Sequence, residues 1–208
     1  MDTLTTLFGS QVRVKLLRFF LLNETTPFFL KEIVLRTKCT SVAVKKELNS
    51  LLKIELLKKK DIAKEVTIVR GKKTIVKKNK GSGYVMNEKF PYRDLLKNLL
   101  TVASIQPDET LAKRLMAVGK VKLIVAAGIF IQNWDSRVDL LIVGDELNLN
   151  KIEAIIRIIE SEIGKEISYS AFDTQDFEYR LGIHDRLVRD ILDYNHVTLV
   201  DRLGIEPQ

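Results

Sequence analysis

With 208 residues, 46% of them apolar and 29% charged, the chain has room for two small domains, each with an ordinary buried core. A single cysteine, Cys39, excludes an intrachain disulfide and argues against a cysteine-based zinc site. The most apolar early run, Leu16 to Leu22, is short and interrupted by Arg18, so neither a membrane span nor a leader is expected and the cytoplasm is the expected location. The net charge of +7 is unevenly spread, residues 1–90 holding 20 Lys and Arg against 8 Asp and Glu and residues 91–208 holding 14 against 19, which points to an anionic partner for the first half alone.

Met1 to Gly9 reads as a short lead-in. Ser10 is an N-cap for a helix reaching Asn23, with Val12, Leu16, Phe19 and Phe20 at helical spacing. Thr25-Thr26-Pro27 breaks the chain. Leu30 to Thr37 is a second helix with Ile33 and Val34 inward, and Lys38-Cys39-Thr40 makes a tight turn in which Cys39 is a small, partly buried thiol. Thr40 or Ser41 caps a third helix that runs to Lys53. There Val44, Leu48 and Leu51, at i, i+4 and i+7, share a buried face, which leaves Ser41, Ala43, Lys45, Lys46, Asn49 and Lys53 on or near the opposite one. Val66–Val69 and Thr74–Val76 then read as strands flanking a four-residue hairpin loop, Arg70-Gly71-Lys72-Lys73, and Gly81-Ser82-Gly83 loosens the chain before Tyr84. From Lys53 to Lys80 there are 11 basic residues against 3 acidic ones.

Three short helices, a tight turn between the second and third, and a basic hairpin make the pattern of a winged helix-turn-helix over residues 1–90. The third helix would enter the major groove, with Lys45, Lys46 and Asn49 facing the bases, helped by Ser41 and Ala43 and with Lys53 on the same basic surface. Arg70, Lys72 and Lys73 at the hairpin tip would hold phosphates or a minor groove. A lysine-rich hairpin also protects an exposed strand edge from aggregation, and attraction to phosphate is largely blind to base sequence, so charge alone favours neither DNA nor RNA.

The second half, 91–208, starts with a linking helix over 91–105 whose broad apolar face, Leu95, Leu96, Leu99, Leu100 and Val102, suits packing between domains or against a second copy. Glu109 to Val118 is another helix. The rest alternates in a βαβ manner: a strand at Val121–Ala127, a loop through Trp134, a strand at Val138–Val143 and an amphipathic helix at Leu149–Ile163. A strand at Glu166–Phe172 follows, then a helix capped by Asp173, continued helix from Ile183 to Tyr194, and a last strand at His196–Val200. Trp134 is either a lid over a pocket or an interface anchor. His184 and His196 are too few and too far apart in sequence to argue for a metal and read as surface or packing residues.

Within this half, Leu123 to Asp145 resembles the core of the minimal nucleotidyltransferases of the polymerase-beta-like superfamily. In that family a strand ends in Gly-Ser and the next carries Asp-x-Asp, so that a helix N-terminus holds nucleotide phosphates and paired carboxylates hold two metal ions. Gly128 matches the glycine and Asp139 the second aspartate. Ile129 stands in the serine's place and Arg137 in that of the first aspartate, where a guanidinium removes a metal ligand and adds a like charge. Lying at i and i+2 on a strand, Arg137 and Asp139 are expected to form an ion pair with each other. Gly128, Arg137 and Asp139 therefore mark a degenerate nucleotide site. It could serve dimerisation or partner binding, hold an anion through Arg137, or retain transferase activity, in that order of support.

The whole chain resembles a family of small prokaryotic transcriptional regulators that join a winged helix-turn-helix to a nucleotidyltransferase-like domain. The residues that carry this are Leu7-Phe8-Gly9-Ser10, Val44 to Leu48, Val138 to Asp145, Glu166 to Tyr169 and Phe177 to Arg180. Glu55 stands where winged helices usually have a glycine before Leu56-Leu57, and the hairpin region up to Lys80 is long. The resemblance implies an α+β chain whose helix 91–105 joins the winged helix to a small α/β domain. It implies a homodimeric regulator of double-stranded DNA that is not an enzyme, has no cofactor and responds to an unidentified small-molecule or protein effector. The alternative is an active or nucleotide-binding nucleotidyltransferase anchored by its basic domain. A third class is an interaction module whose basic face docks RNA or an acidic protein.

Overall fold

The computed structural model describes residues 3–70, 73–102 and 107–205, and only the backbone of 65–70, 73–79 and 101–102. The chain is mixed α+β, with nine α-helices and two small sheets among the described residues, and it divides into two compact units, Met1–Leu100 and Thr101–Gln208. No helix among the described residues is long and apolar enough to cross a membrane.

The first unit contains α1 (Thr3–Phe8), α2 (Gln11–Leu22), α3 (Leu30–Thr37), α4 (Ser41–Lys53), β1 (Leu57–Arg70), β2 (Lys73–Met86) and all but the last two residues of α5 (Arg93–Val102). The short lead-in is largely helical, as α1, and buries Leu4. Local chemistry sets the other helix starts. The Ser10 side chain accepts from the Arg13 N–H and that of Thr40 from the Ala43 N–H. Lys38, in a left-handed conformation (φ 51°), ends α3 and forms the tight turn. The core gathers Leu16, Phe19, Phe20, Ile33, Val44, Leu48, Leu51, Leu56 and Met86, with Phe19 packed at 4.6 Å on Phe28. Helix α5, placed by sequence with the second domain, packs here. Leu100 is buried and Leu96 half-buried against this core, and Lys97 pairs with Glu24 at 2.6 Å.

The hairpin departs most from expectation. Its strands pair in register without a break from Leu57↔Met86 to Arg70↔Lys73, so Arg70 and Lys73 are the last strand partners rather than loop residues. Thirteen residue steps make a ribbon about 45 Å long. Gly81, Ser82 and Gly83 lie inside β2, opposite Ile62, Asp61 and Lys60. Gly83 is needed for a close approach: a Cβ there would meet the Phe28 carbonyl oxygen at 2.9 Å and crowd the Ile62 side chain. Phe28 pairs with Tyr84 by two backbone hydrogen bonds (2.9 and 2.8 Å), adding a one-residue bridge beside β2. Glu55 sits in the left-handed region (φ 58°), a conformation that glycine adopts more readily, and its carbonyl accepts from the Asn87 side chain at 2.7 Å.

The second unit contains α6 (Glu109–Met116), β3 (Lys120–Ala126), β4 (Leu140–Asp145), α7 (Leu149–Ile163), β5 (Tyr169–Phe172), α8 (Thr174–Gly182), α9 (Arg186–Leu192) and β6 (Val197–Asp201). Its sheet has the order β5-β4-β3-β6. β4 and β5 are parallel across the α7 crossover, and the other pairs are antiparallel. Within β3 and β4, Leu123–Ala126 and Leu140–Val143 are continuous apolar runs because both sheet faces are covered there. Leu123, Val125, Leu141 and Val143 pack with Phe177 of α8 and with Val188 and Ile191 of α9, while Ile124 and Ile142 are buried on the other side. The helix expected from Ile183 to Tyr194 is broken. His184 is left-handed (φ 57°), and Asp185 starts α9 by accepting from the Leu187 and Val188 N–H groups. β4 starts two residues later than expected, so Arg137 and Asp139 precede the strand. β5 starts at Tyr169, so Glu166 and Ser168 precede it too.

Candidate nucleic-acid interface

The outward face of α4 is set by what anchors the inward one. Val44, Leu48 and Leu51 are fully buried, and between them Glu47 accepts from Arg13 Nε at 2.9 Å, tying α4 to α2. With that side fixed, Ser41, Lys45, Lys46, Asn49 and Lys53 are exposed, and Ala43 is half-buried at the margin. The side chains of Lys45, Lys46, Asn49 and Lys53 make no hydrogen bond or ion pair with any described residue. Lys45, Lys46, Asn49 and Lys53 fall within roughly 100° of helix arc, so one groove wall could meet all four.

Val42 lies on the same arc and is 80% exposed, although sequence reading passed over it. Its spacing to Lys45, Lys46 and Asn49, at i+3, i+4 and i+7, was the available signal.

The middle of the hairpin is held to α3. Glu32 accepts from the Phe29 N–H at 2.6 Å and pairs with Lys64 Nζ at 2.9 Å, while Lys64 and Arg36 approach the Phe28 ring at 4.8 and 5.2 Å. Lys58, Lys59, Lys60 and Lys80 are exposed along the ribbon. Of the expected phosphate contacts, Arg70 and Lys73 have a described backbone only, and Lys72 lies outside the described residues.

The site built on Gly128, Arg137 and Asp139 comes together differently from expectation. Asp139 accepts from the Ile129 N–H through Oδ1 and from the Ser168 N–H through Oδ2, both at 2.8 Å. Its backbone bonds to Ala127 and Ser168 as well, so one residue braces the end of β3 against the approach to β5. Gly128 opens a short 3-10 helix, Gly128–Ile131, with φ +51°, and a Cβ there would run into the Asp139 carboxylate. The expected Arg137–Asp139 pair does not form. Arg137 reaches Asp190 of α9 at 3.3 Å, because the Asp139 oxygens are engaged by backbone amides and Arg137 is not on the strand. Arg186 approaches the same Asp190 carboxylate at 4.0 Å. These three residues line a cleft of about 330 Å³ with Ser136, Tyr194 and Asn195, an arrangement able to receive a small anion. Trp134, beyond that turn, lies under the Lys165 ammonium at 4.7 Å.

Two further features were not foreseen. His184 and His196, far apart in sequence, line one cavity of about 490 Å³ floored by Leu123, Val125 and Val188. At the far end of β4, Asp145 is held down to about 2 by hydrogen bonding from Thr174 and by the Lys122 ammonium at 2.9 Å. Among the described residues no group of three His, Cys, Asp or Glu side chains could hold a metal ion. No protein-family model, curated protein or solved structure matches the chain.

Proposed function

We propose that the chain is a sequence-specific regulator of transcription that binds double-stranded DNA as a homodimer. In this reading its first unit is a winged helix-turn-helix, and its second is a nucleotidyltransferase-like domain used for dimerisation or for sensing a ligand or partner rather than for catalysis. The observation that carries the reading is the exposed face of α4, whose cationic and amide heads are engaged by no described residue while its opposite face is anchored in the core. The order of elements supports it: α2, the Phe28 bridge, α3, α4, then a hairpin pairing back onto Phe28 is the winged-helix order. The use of both Asp139 oxygens by backbone amides supports a structural role for that carboxylate. Mobility shifts of random-sequence duplex pools at rising salt test the proposal. Selective retention of some duplexes, lost on replacing Lys45 and Lys46 by alanine, is the expected result, and binding indifferent to those replacements would refute it.

A second reading, in which the second unit binds a nucleotide or other anion, is favoured by one feature, the Arg137 and Arg186 side chains sharing the Asp190 carboxylate at an open cleft. Calorimetry with a magnesium nucleotide distinguishes the two: metal-dependent heat abolished by Arg137→Ala would support it.

A further inference from the structure

Every other apolar side chain of α4 has a structural use. Val44, Leu48 and Leu51 are buried, and Ala43 and Leu52 are half-buried. Val42 alone is exposed, by 80%, and it lies among Lys45, Lys46 and Asn49 on the face argued above to enter a groove. A β-branched residue in a helix loses side-chain freedom and gains nothing from water, so neither local propensity nor packing within the unit explains it. Isolated apolar residues do occur on surfaces, but this one shares the helix arc of Lys45, Lys46 and Asn49, one turn before the first of them.

The major groove offers one apolar group, the C5 methyl of thymine, and no such group in the minor groove or on the phosphates. Lysine ammonium groups at i+3 and i+4 would draw that groove wall against the helix. The two Val42 γ-methyls would then be pressed onto whichever base edge lies opposite. A cytosine edge would lose hydration there without gaining a hydrogen bond, whereas a thymine would bury its methyl.

Resting on the DNA-binding reading above, we infer that Val42 is a specificity-determining residue that reads the methyl group of a thymine within the half-site contacted by Lys45 and Lys46. It selects T over C at that position by apolar contact alone.

The test uses the full chain and the duplex it enriches most from random-sequence DNA, with each thymine replaced in turn by deoxyuridine, which deletes the methyl and keeps the base pair. One thymine is expected to lose about fourfold in affinity on replacement, the worth of one buried methyl. Val42→Thr, which keeps a γ-methyl, should retain that loss, and Val42→Ser should abolish it while leaving thermal stability unchanged at so exposed a position. If a duplex is enriched but no thymine responds differently in the native chain and Val42→Ser, the inference is overturned and the DNA-binding reading stands. If no duplex is enriched, both fall.

Discussion

The outward face of α4 and the Gly128–Asp139 turn both carry charged groups, but they use them in opposite ways. At the turn, both Asp139 oxygens are occupied by backbone amides and Arg137 is paired with Asp190, so the polar groups act on one another and hold the unit together. On α4, the ion pair that stabilises the helix, Arg13–Glu47, is on the inward side, and the outward cations are exposed and engaged by no described residue. A carboxylate such as Asp139, with both oxygens bracing its own fold, is not available to hold a metal without breaking the brace. Counting charges in sequence cannot separate the two uses; hydrogen-bond partners can.

The largest expected effect lies at the turn. Asp139→Ala leaves the buried Ile129 N–H without its acceptor, at about 2 kcal/mol, and returns the exposed Ser168 N–H to water, at about 1 kcal/mol, so the second unit should lose about 3 kcal/mol in denaturant unfolding. A loss below 1 kcal/mol would mean that the carboxylate is not a brace and would reopen a ligand role for it. On α4, by contrast, Asn49→Ala should leave stability within about 0.5 kcal/mol of native, as expected for an exposed position. It should cost about 1–3 kcal/mol of discrimination at one base pair, read by competition between duplexes. The hairpin sharpens the contrast further. Replacing Lys58, Lys59 and Lys60 together by alanine should weaken all duplexes alike and reduce the slope of log affinity against log salt by up to about 3, without changing preference among sequences.

A smaller effect is expected at the inward ion pair. Glu47→Ala should cost about 1 kcal/mol, discounted because the Arg13 end is more than a third exposed, and should weaken DNA binding only by loosening α4. The smallest is a pH effect at Asp145. Its folded-state value near 2 lies below its ordinary one, so its contribution is complete above about 4 and fades as pH falls towards 2. Asp145→Asn should flatten that part of the acid-unfolding curve, and an unchanged curve would remove the Thr174 and Lys122 contacts from the account.

Several helix starts were readable where the signal and its partner are close in the chain, although the equally local cap at Asp185 was not. Ser10, Thr40, Asn148 and Asp173 each accept from an N–H three residues ahead, and α7 covers Leu149–Ile163 as its apolar period requires. The hairpin was read too short because β-branched residues mark strands only where side chains carry the preference. Pairing continues through the lysines and glycines since it needs only a facing backbone.

By itself, then, the sequence determined the order of most elements, the concentration of positive charge in residues 1–90 and the face of α4 that turns away from the core. Each of these depends on local spacing or on composition. Only the tertiary structure decided that Asp139 engages Ile129 and Ser168, that Arg137 turns to Asp190, and that Arg13 anchors Glu47. Those partners are 10 to 53 positions apart in the chain, and a pairing over such a distance exists only once packing has brought the two groups together.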